Sequence, residues 1–204
     1  MKKLTYLFFL LLFAACNNNN ADNNSNAPAN VNGDEYIFEN MQGTDIQRVK
    51  KLDAKNNVIE EGFVKDGLKT GEWVTYLKEK NYVSTITPYL KGKLNGTYFE
   101  FDKRGYLVSQ AGFINDELNG RVIKYQYGKP TEISDFKNGK LDGAKRVYAR
   151  NGNIQEEIQY KNGVINGFMR YYNDKGELIM EYEYKNGKKI GGGEINRKVD
   201  NTPR

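Results

Sequence analysis

Phe136-Lys137-Asn138-Gly139-Lys140-Leu141-Asp142-Gly143-Ala144-Lys145-Arg146-Val147-Tyr148-Ala149-Arg150-Asn151-Gly152-Asn153-Ile154 returns 24 residues later as Tyr160-Lys161-Asn162-Gly163-Val164-Ile165-Asn166-Gly167-Phe168-Met169-Arg170-Tyr171-Tyr172-Asn173-Asp174-Lys175-Gly176-Glu177-Leu178. Outward from this pair, one glycine column runs Gly71, Gly96, Gly120, Gly143, Gly167 and Gly191, spaced 25, 24, 23, 24 and 24. Seven residues before each anchor stand Val64, Tyr89, Phe113, Phe136, Tyr160 and Tyr184, and five after stand Tyr76, Phe101, Tyr125, Tyr148 and Tyr172. Four before each anchor lies a turn position held by Gly67, Gly92, Asp116, Gly139, Gly163 and Gly187. A second turn follows the later aromatic, and two residues past it sit Leu107, Pro130, Ile154 and Leu178. A fixed period of this length marks a repeat architecture.

Each unit reads as strand, turn, strand, turn. Asn-Gly supplies the positive φ angles of a tight hairpin, and the intervening runs are rich in Tyr, Phe, Val and Ile. The expected fold is therefore all-β: an elongated antiparallel β-meander of about six 24-residue hairpin repeats. With about a dozen strands at roughly 4.8 Å, the sheet extends on the order of 55 Å. No segment has the period and length of a helix to cover it. The aromatic columns are the expected core, with like rings stacking on like between neighbouring strands. The anchor glycines are expected where a side chain would collide with a ring or where the backbone bends left-handed. The columns seven before and five after the anchor share a face only if each turn preserves the pleat. Leu52, Asn56-Asn57, Val58 and Val64 form a starting half-repeat, residues 35–47 add a covering strand, and Gly191-Gly192-Gly193 ends the sheet near Glu194. The domain divides as a signal at 1–15, a lipidated cysteine and tether at 16–34, the repeats at 35–194 and a polar tail at 195–204.

Composition excludes whole classes of chemistry. The 204 residues include no histidine and one cysteine, which removes Ser-His-Asp and Cys-His relays, imidazole ligands and an intrachain disulfide framework. No cofactor or metal is expected. Acidic pairs such as Glu60-Glu61 and Glu156-Glu157 sit on adjacent strand positions and so point to opposite faces, which suits pairing with Lys and Arg better than acid–base work. The formal charge of +5 falls to +3 without Lys2 and Lys3, and the basic residues are interspersed with acids, so no nucleic-acid footprint is expected.

Met1-Lys2-Lys3, the apolar run Leu4 to Ala15 and Cys16 read as an export signal too short to span a bilayer. Phe13-Ala14-Ala15-Cys16 resembles the bacterial lipobox, which implies a lipid on Cys16, with ordinary cleavage after Ala15 as the alternative. Residues 17–34, with nine asparagines, form a solvated tether of about 23 Å end-to-end. Asn17 in place of the retention aspartate of enterobacterial lipoproteins points to the outer membrane, facing the periplasm, with the cell surface as the alternative.

The pattern aromatic-x-Asn-Gly-Lys-x-x-Gly, four residues, Tyr, three residues, Gly-x-Leu/Ile resembles the MORN repeat, particularly its bacterial variant, over residues 48–194. Departures are local: Asp116 replaces a turn glycine, and Val122 and Lys145 stand where Trp73 and Tyr98 put an aromatic. The resemblance implies a scaffold or membrane-associated interaction module without catalytic residues; the bacterial variant is also named antitoxin-like, which an exported chain does not need. The expected function is a non-catalytic envelope lipoprotein that binds a protein partner through its repeats and the membrane through its lipid. The alternatives are a glycan or peptidoglycan binder using Trp73, Tyr98 and Tyr171, and an immunity-type protein.

Overall fold

The computed structural model describes residues 31, 33, 35–77 and 82–195. The signal at 1–15, Cys16, nearly all of the tether and residues 196–204 lie outside the described residues. Among these, fifteen strands form one antiparallel sheet: β1 (Ile37–Asn40), β2 (Ile46–Leu52), β3 (Val58–Lys65), β4 (Leu68–Tyr76), β5 (Val83–Leu90), β6 (Lys93–Leu94), β7 (Gly96–Phe101), β8 (Leu107–Ile114), β9 (Glu117–Gln126), β10 (Lys129–Lys137), β11 (Lys140–Tyr148), β12 (Ile154–Lys161), β13 (Val164–Tyr172), β14 (Leu178–Lys185) and β15 (Lys188–Glu194). Neighbours follow chain order without crossovers, and the short β6 pairs with β5 ahead of β7. This is the elongated meander the period predicts.

The turns on one edge have two central residues, both at positive φ, as type I′ hairpins require: Asp66-Gly67, Lys91-Gly92, Asn115-Asp116, Asn138-Gly139, Asn162-Gly163 and Asn186-Gly187. They are stacked by backbone bonds. The N–H groups of Gly92, Asp116, Gly139, Gly163 and Gly187 donate to the carbonyls of Lys69, Leu94, Leu118, Leu141 and Ile165, one repeat earlier, at 2.7–3.0 Å. Asp116 keeps this geometry at φ 70, and its carboxylate accepts the Leu94 N–H at 2.7 Å, so the loss of the turn glycine leaves the register intact. On the other edge, three-residue loops close by Asp102 N–H to Tyr106, Ala149 to Asn153 and Asn173 to Glu177. Loop length explains the uneven spacing. Tyr127-Gly128 is a two-residue turn and gives the interval of 23, while the loop closed by Leu77 N–H to Tyr82 is one residue longer than the rest and gives 25.

The anchors occupy bulges. Between Ser134↔Lys145 and Phe136↔Leu141 the single residue Asp135 faces three, Asp142, Gly143 and Ala144. The extra length is absorbed by left-handed backbone at Gly71, Gly96, Gly120, Gly143 and Gly167, with φ from +66° to +124°. A Cβ at Gly143 would stand 2.8 Å from Asp135 Cβ, so the crowding comes from the side chain across the bulge and not from a ring. At the sixth position the left-handed backbone moves to Gly192 (φ +91°), and Gly191 lacks it.

The register corrects the expected stacking of like rings and decides the condition on which the two columns would share a face. Like rings do not stack: Phe113 lies between Gly96 and Leu118, and Tyr160 between Gly143 and Ile165. In a meander the same slot recurs only on every second strand, roughly 9.6 Å away, beyond ring contact. Nor do the two columns share a face. A two-residue turn pairs Phe113 with Leu118, five residues on, so the odd offset inverts the parity and the slot five after the anchor projects from the opposite side. Face A carries Tyr89, Phe113, Phe136, Tyr160 and Tyr184; face B carries Tyr76, Phe101, Tyr125, Tyr148 and Tyr172, each paired with Val83, Leu107, Pro130, Ile154 or Leu178.

The core sits on face A, where Val49, Val64, Trp73, Ala111, Phe113 and Ile158 are buried. Its centre is Trp73, over which Val31 and Tyr36 fold from the segment preceding β1. Tyr36 and Tyr89 meet the indole edge-on at 5.8 and 6.3 Å. The indole N–H donates to Phe63 O at 3.0 Å, and Lys69 Nζ lies 3.8 Å from the ring centroid. Glu60 ties the group together, accepting from Tyr36 Oη and Lys69 Nζ at 2.8 Å each.

Candidate functional site

Face B has no layer over it among the described residues, and one row of side chains crosses it in unbroken register. From the amino-terminal side the paired positions are Lys50, Glu61, Val74, Ile86, Phe99, Gln110, Ile123, Ile133, Arg146, Glu157, Arg170 and Glu181. The chemistry changes along it. Between β4 and β10 the row is apolar except for Gln110, and Phe63, Pro88 and the Tyr76–Val83, Phe101–Leu107 and Tyr125–Pro130 pairs flank it. These side chains are only partly buried, and Pro130 is exposed. A single-layer sheet cannot bury both faces, so this apolar stripe remains at the surface.

The stripe ends in polar groups that neutralise one another. At the amino-terminal side Glu61 accepts from Arg48 Nη2 and Tyr76 Oη at 2.6 Å each. The Tyr76 hydroxyl and then Arg48 hold the Glu61 carboxyl below the usual carboxylate range. Burial, then the Glu61 carboxylate, pushes the Tyr76 hydroxyl up to about 12. Around this trio is a two-lobed groove. One lobe is lined by Met41, Phe63, Glu72 and Val74, the other by Lys50, Asn56, Asn57 and Val58, with Arg48 and Glu61 between. At the carboxy-terminal side the row becomes an alternating ion ladder. Arg146 pairs with Glu157 at 2.7 Å, and Arg170 with Glu181 at 2.7 Å and with Glu157 at 3.8 Å.

The residues singled out for ring stacking sit elsewhere. Trp73 is 1% exposed on face A and offers no surface for a flat ligand, which corrects its reading as an exposed ring. Tyr98 is half-buried on face A beside Phe113, with ring centroids 6.4 Å apart and edges perpendicular; burial, then Glu100, pushes its hydroxyl up to about 12. Tyr171 pairs with Glu156 on face A, and burial, then that carboxylate, raises its pKa. The three rings do not form one platform. Cys16 lies outside the described residues. The acidic pairs do split between faces: Glu60 joins Tyr36 and Lys69 on face A while Glu61 joins Arg48 on face B, and Glu157 sits in the ion ladder.

Sequence reasoning missed Arg48 and Gly62. Arg48 meets Glu61 only through the β2–β3 register, and its sole signal was opposite charge on strands expected to pair. Gly62 is not in the anchor column, yet a Cβ there would sit 2.3 Å from the Trp73 ring. Among the described residues no group of three or more His, Cys, Asp or Glu is placed to hold a metal. No protein-family model matches the chain, and no curated protein matches it.

Proposed function

We propose that this chain is a non-catalytic interaction module of the cell envelope, anchored by a lipid on Cys16 and docking a protein on face B. The observation that carries this reading is the uncovered stripe from Phe63 through Val74, Ile86 and Phe99 to Ile133, presented on a rigid hydrogen-bonded sheet. Aromatic and aliphatic side chains held at a surface are what protein interfaces bury at their centres. The period and turn chemistry support a MORN-like repeat, and such an array is a scaffold whose unit contains no reacting group. Burial of Trp73 weighs against the glycan reading, because sugar stacking needs an open ring face.

The test is photo-crosslinking in the native membrane. A benzophenone amino acid replaces Thr97, exposed on β7 of face B, or Lys124, exposed on β9 of face A. Protein adducts from position 97 and none from position 124 are expected. Adducts from position 124 alone would move the interface to face A, and none from either position would refute the interaction reading. For the anchor, Cys16→Ala is expected to release the protein from the membrane fraction; a variant that stays, with an unmodified wild-type amino terminus by mass spectrometry, refutes it.

A further inference from the structure

We infer that the apolar half of face B is an interface between two copies of this chain, packed face to face. This rests on the reading of the sheet as an interaction module and names its partner. The stripe runs over seven consecutive ranks of the sheet, β3, β4, β5, β7, β8, β9 and β10, so β7, with Thr97 and Phe99, is its midpoint. A surface with apolar side chains on both sides of a central rank is matched by its own rotation about that rank, which is the self-complementarity a two-fold dimer needs.

Charge points the same way. Within the stripe Glu61 is answered by Arg48 and Tyr76, and Asp135 by Arg121 at 3.5 Å, which leaves too little unanswered acid, exposed Glu72 on β4 among it, to select a strongly basic partner. The surface that fits it is another apolar sheet. Two sheets pack about 10 Å apart with strands within about 30° of alignment, and side chains from the facing sides interdigitate. Seven ranks at about 4.8 Å by roughly six residues at 3.3 Å give on the order of 700 Å² per copy. The two copies together bury about 1,400 Å², within the range of a specific stable interface. The ion ladder from Arg146 to Glu181 lies beyond the stripe and bounds it, since desolvating four paired charges is unfavourable.

The test places the benzophenone amino acid at Glu72, exposed on β4 of face B, in the full chain in its native membrane, with and without Thr97→Arg. Thr97 is exposed, so the arginine leaves the monomer's packing alone but puts two like charges at the centre of a dimer. The expected adduct has twice the mass of the chain, yields peptides of this chain only, and falls at least tenfold with Thr97→Arg while the melting temperature is unchanged. If that substitution lowers the melting temperature, Thr97→Lys and dilution of the membrane-extracted wild type, which must dissociate with concentration, decide the matter. A self-adduct insensitive to the charge, or adducts only with another protein, would overturn the dimer while leaving the interaction module standing. No adduct from Glu72, Thr97 or Lys124 would overturn both.

Discussion

Gly62→Ala is a one-carbon change with a large expected effect. Gly62 is buried in β3 and is not among the left-handed residues, so alanine strains no dihedral. Its Cβ would instead stand 2.3 Å from Trp73 Cδ2 and 2.5 Å from Cε2 and Cγ. The indole has nowhere to retreat: its N–H is bonded to Phe63 O at 3.0 Å, Tyr36 and Tyr89 meet it edge-on, and Lys69 Nζ lies 3.8 Å from its centroid. Overpacking a core typically destabilises by about 1–3 kcal/mol, and losing a buried aromatic outright by about 3–5. A partial expulsion of Trp73 therefore costs about 3 kcal/mol, which for a chain of this size lowers the melting temperature by roughly 6–12 °C. Trp73 is the single tryptophan, so its fluorescence reads the site directly, and the variant is expected to emit further to the red while still folded. Gly105→Ala is the control, with φ +82° and open space around it; backbone strain alone limits its effect to about 1–2 kcal/mol. A Gly62→Ala protein that melts within about 1 °C of wild type, or one less perturbed than Gly105→Ala, would refute the steric reasoning.

Gly143→Val combines φ +124° with a Cβ 2.8 Å from Asp135 Cβ and is expected to destabilise by about 1–3 kcal/mol or more, measured by urea unfolding. Gly191→Val should cost clearly less, because Gly191 is not left-handed and its nearest neighbour, Glu183 Oε2, is 4.0 Å away; equal losses at the two sites contradict the bulge account. Tyr76 and Tyr98 are both raised to about 12, so the stability they contribute is complete below the ordinary tyrosine value of about 10 and is lost as pH rises through 12. Melting curves are expected to hold steady to pH 10 and fall beyond it, with a shallower fall in Tyr76→Phe; identical alkaline slopes in variant and wild type would exclude Tyr76. Glu61 has the opposite sign: its lowered pKa contributes stability above the unfolded value near 4.3 that is lost as pH falls through the folded value, and Glu61→Gln should flatten the acid limb.

Local chemistry was legible and parity was not. Asn138-Gly139 and Asn162-Gly163 announce type I′ turns because few residue pairs tolerate two positive φ angles, and the strand boundaries follow from them. The anchor glycines were visible as a column, but their reason, a bulge in which Asp135 faces three residues, depends on pairing that the period does not specify. Whether Phe113 and Tyr125 share a face turns on the turn inverting the pleat between Phe113 and Leu118. That inversion decides which rings pack and which stay at the surface. Trp73 looked like an exposed ring because its burial comes from Val31 and Tyr36, a segment outside the repeat, and from the absence of a side chain at Gly62. Arg48 and Glu61 belong to different strands 13 residues apart and become a pair only once β2 and β3 are in register.

Among the described residues the sheet is single and open with face B uncovered, and a distance across ranks tests this most directly. Spin labels at Lys65 and Lys161, exposed on the same turn edge of β3 and β12, are separated by eight strand steps of about 4.8 Å, or roughly 38 Å. Measured by pulsed electron resonance in a Cys16→Ser, Thr97→Arg background diluted with unlabelled protein, the pair is expected at about 35–40 Å. A distance near 20 Å, as when the strands fold back into two layers about 10 Å apart, would contradict the single sheet and with it the open face.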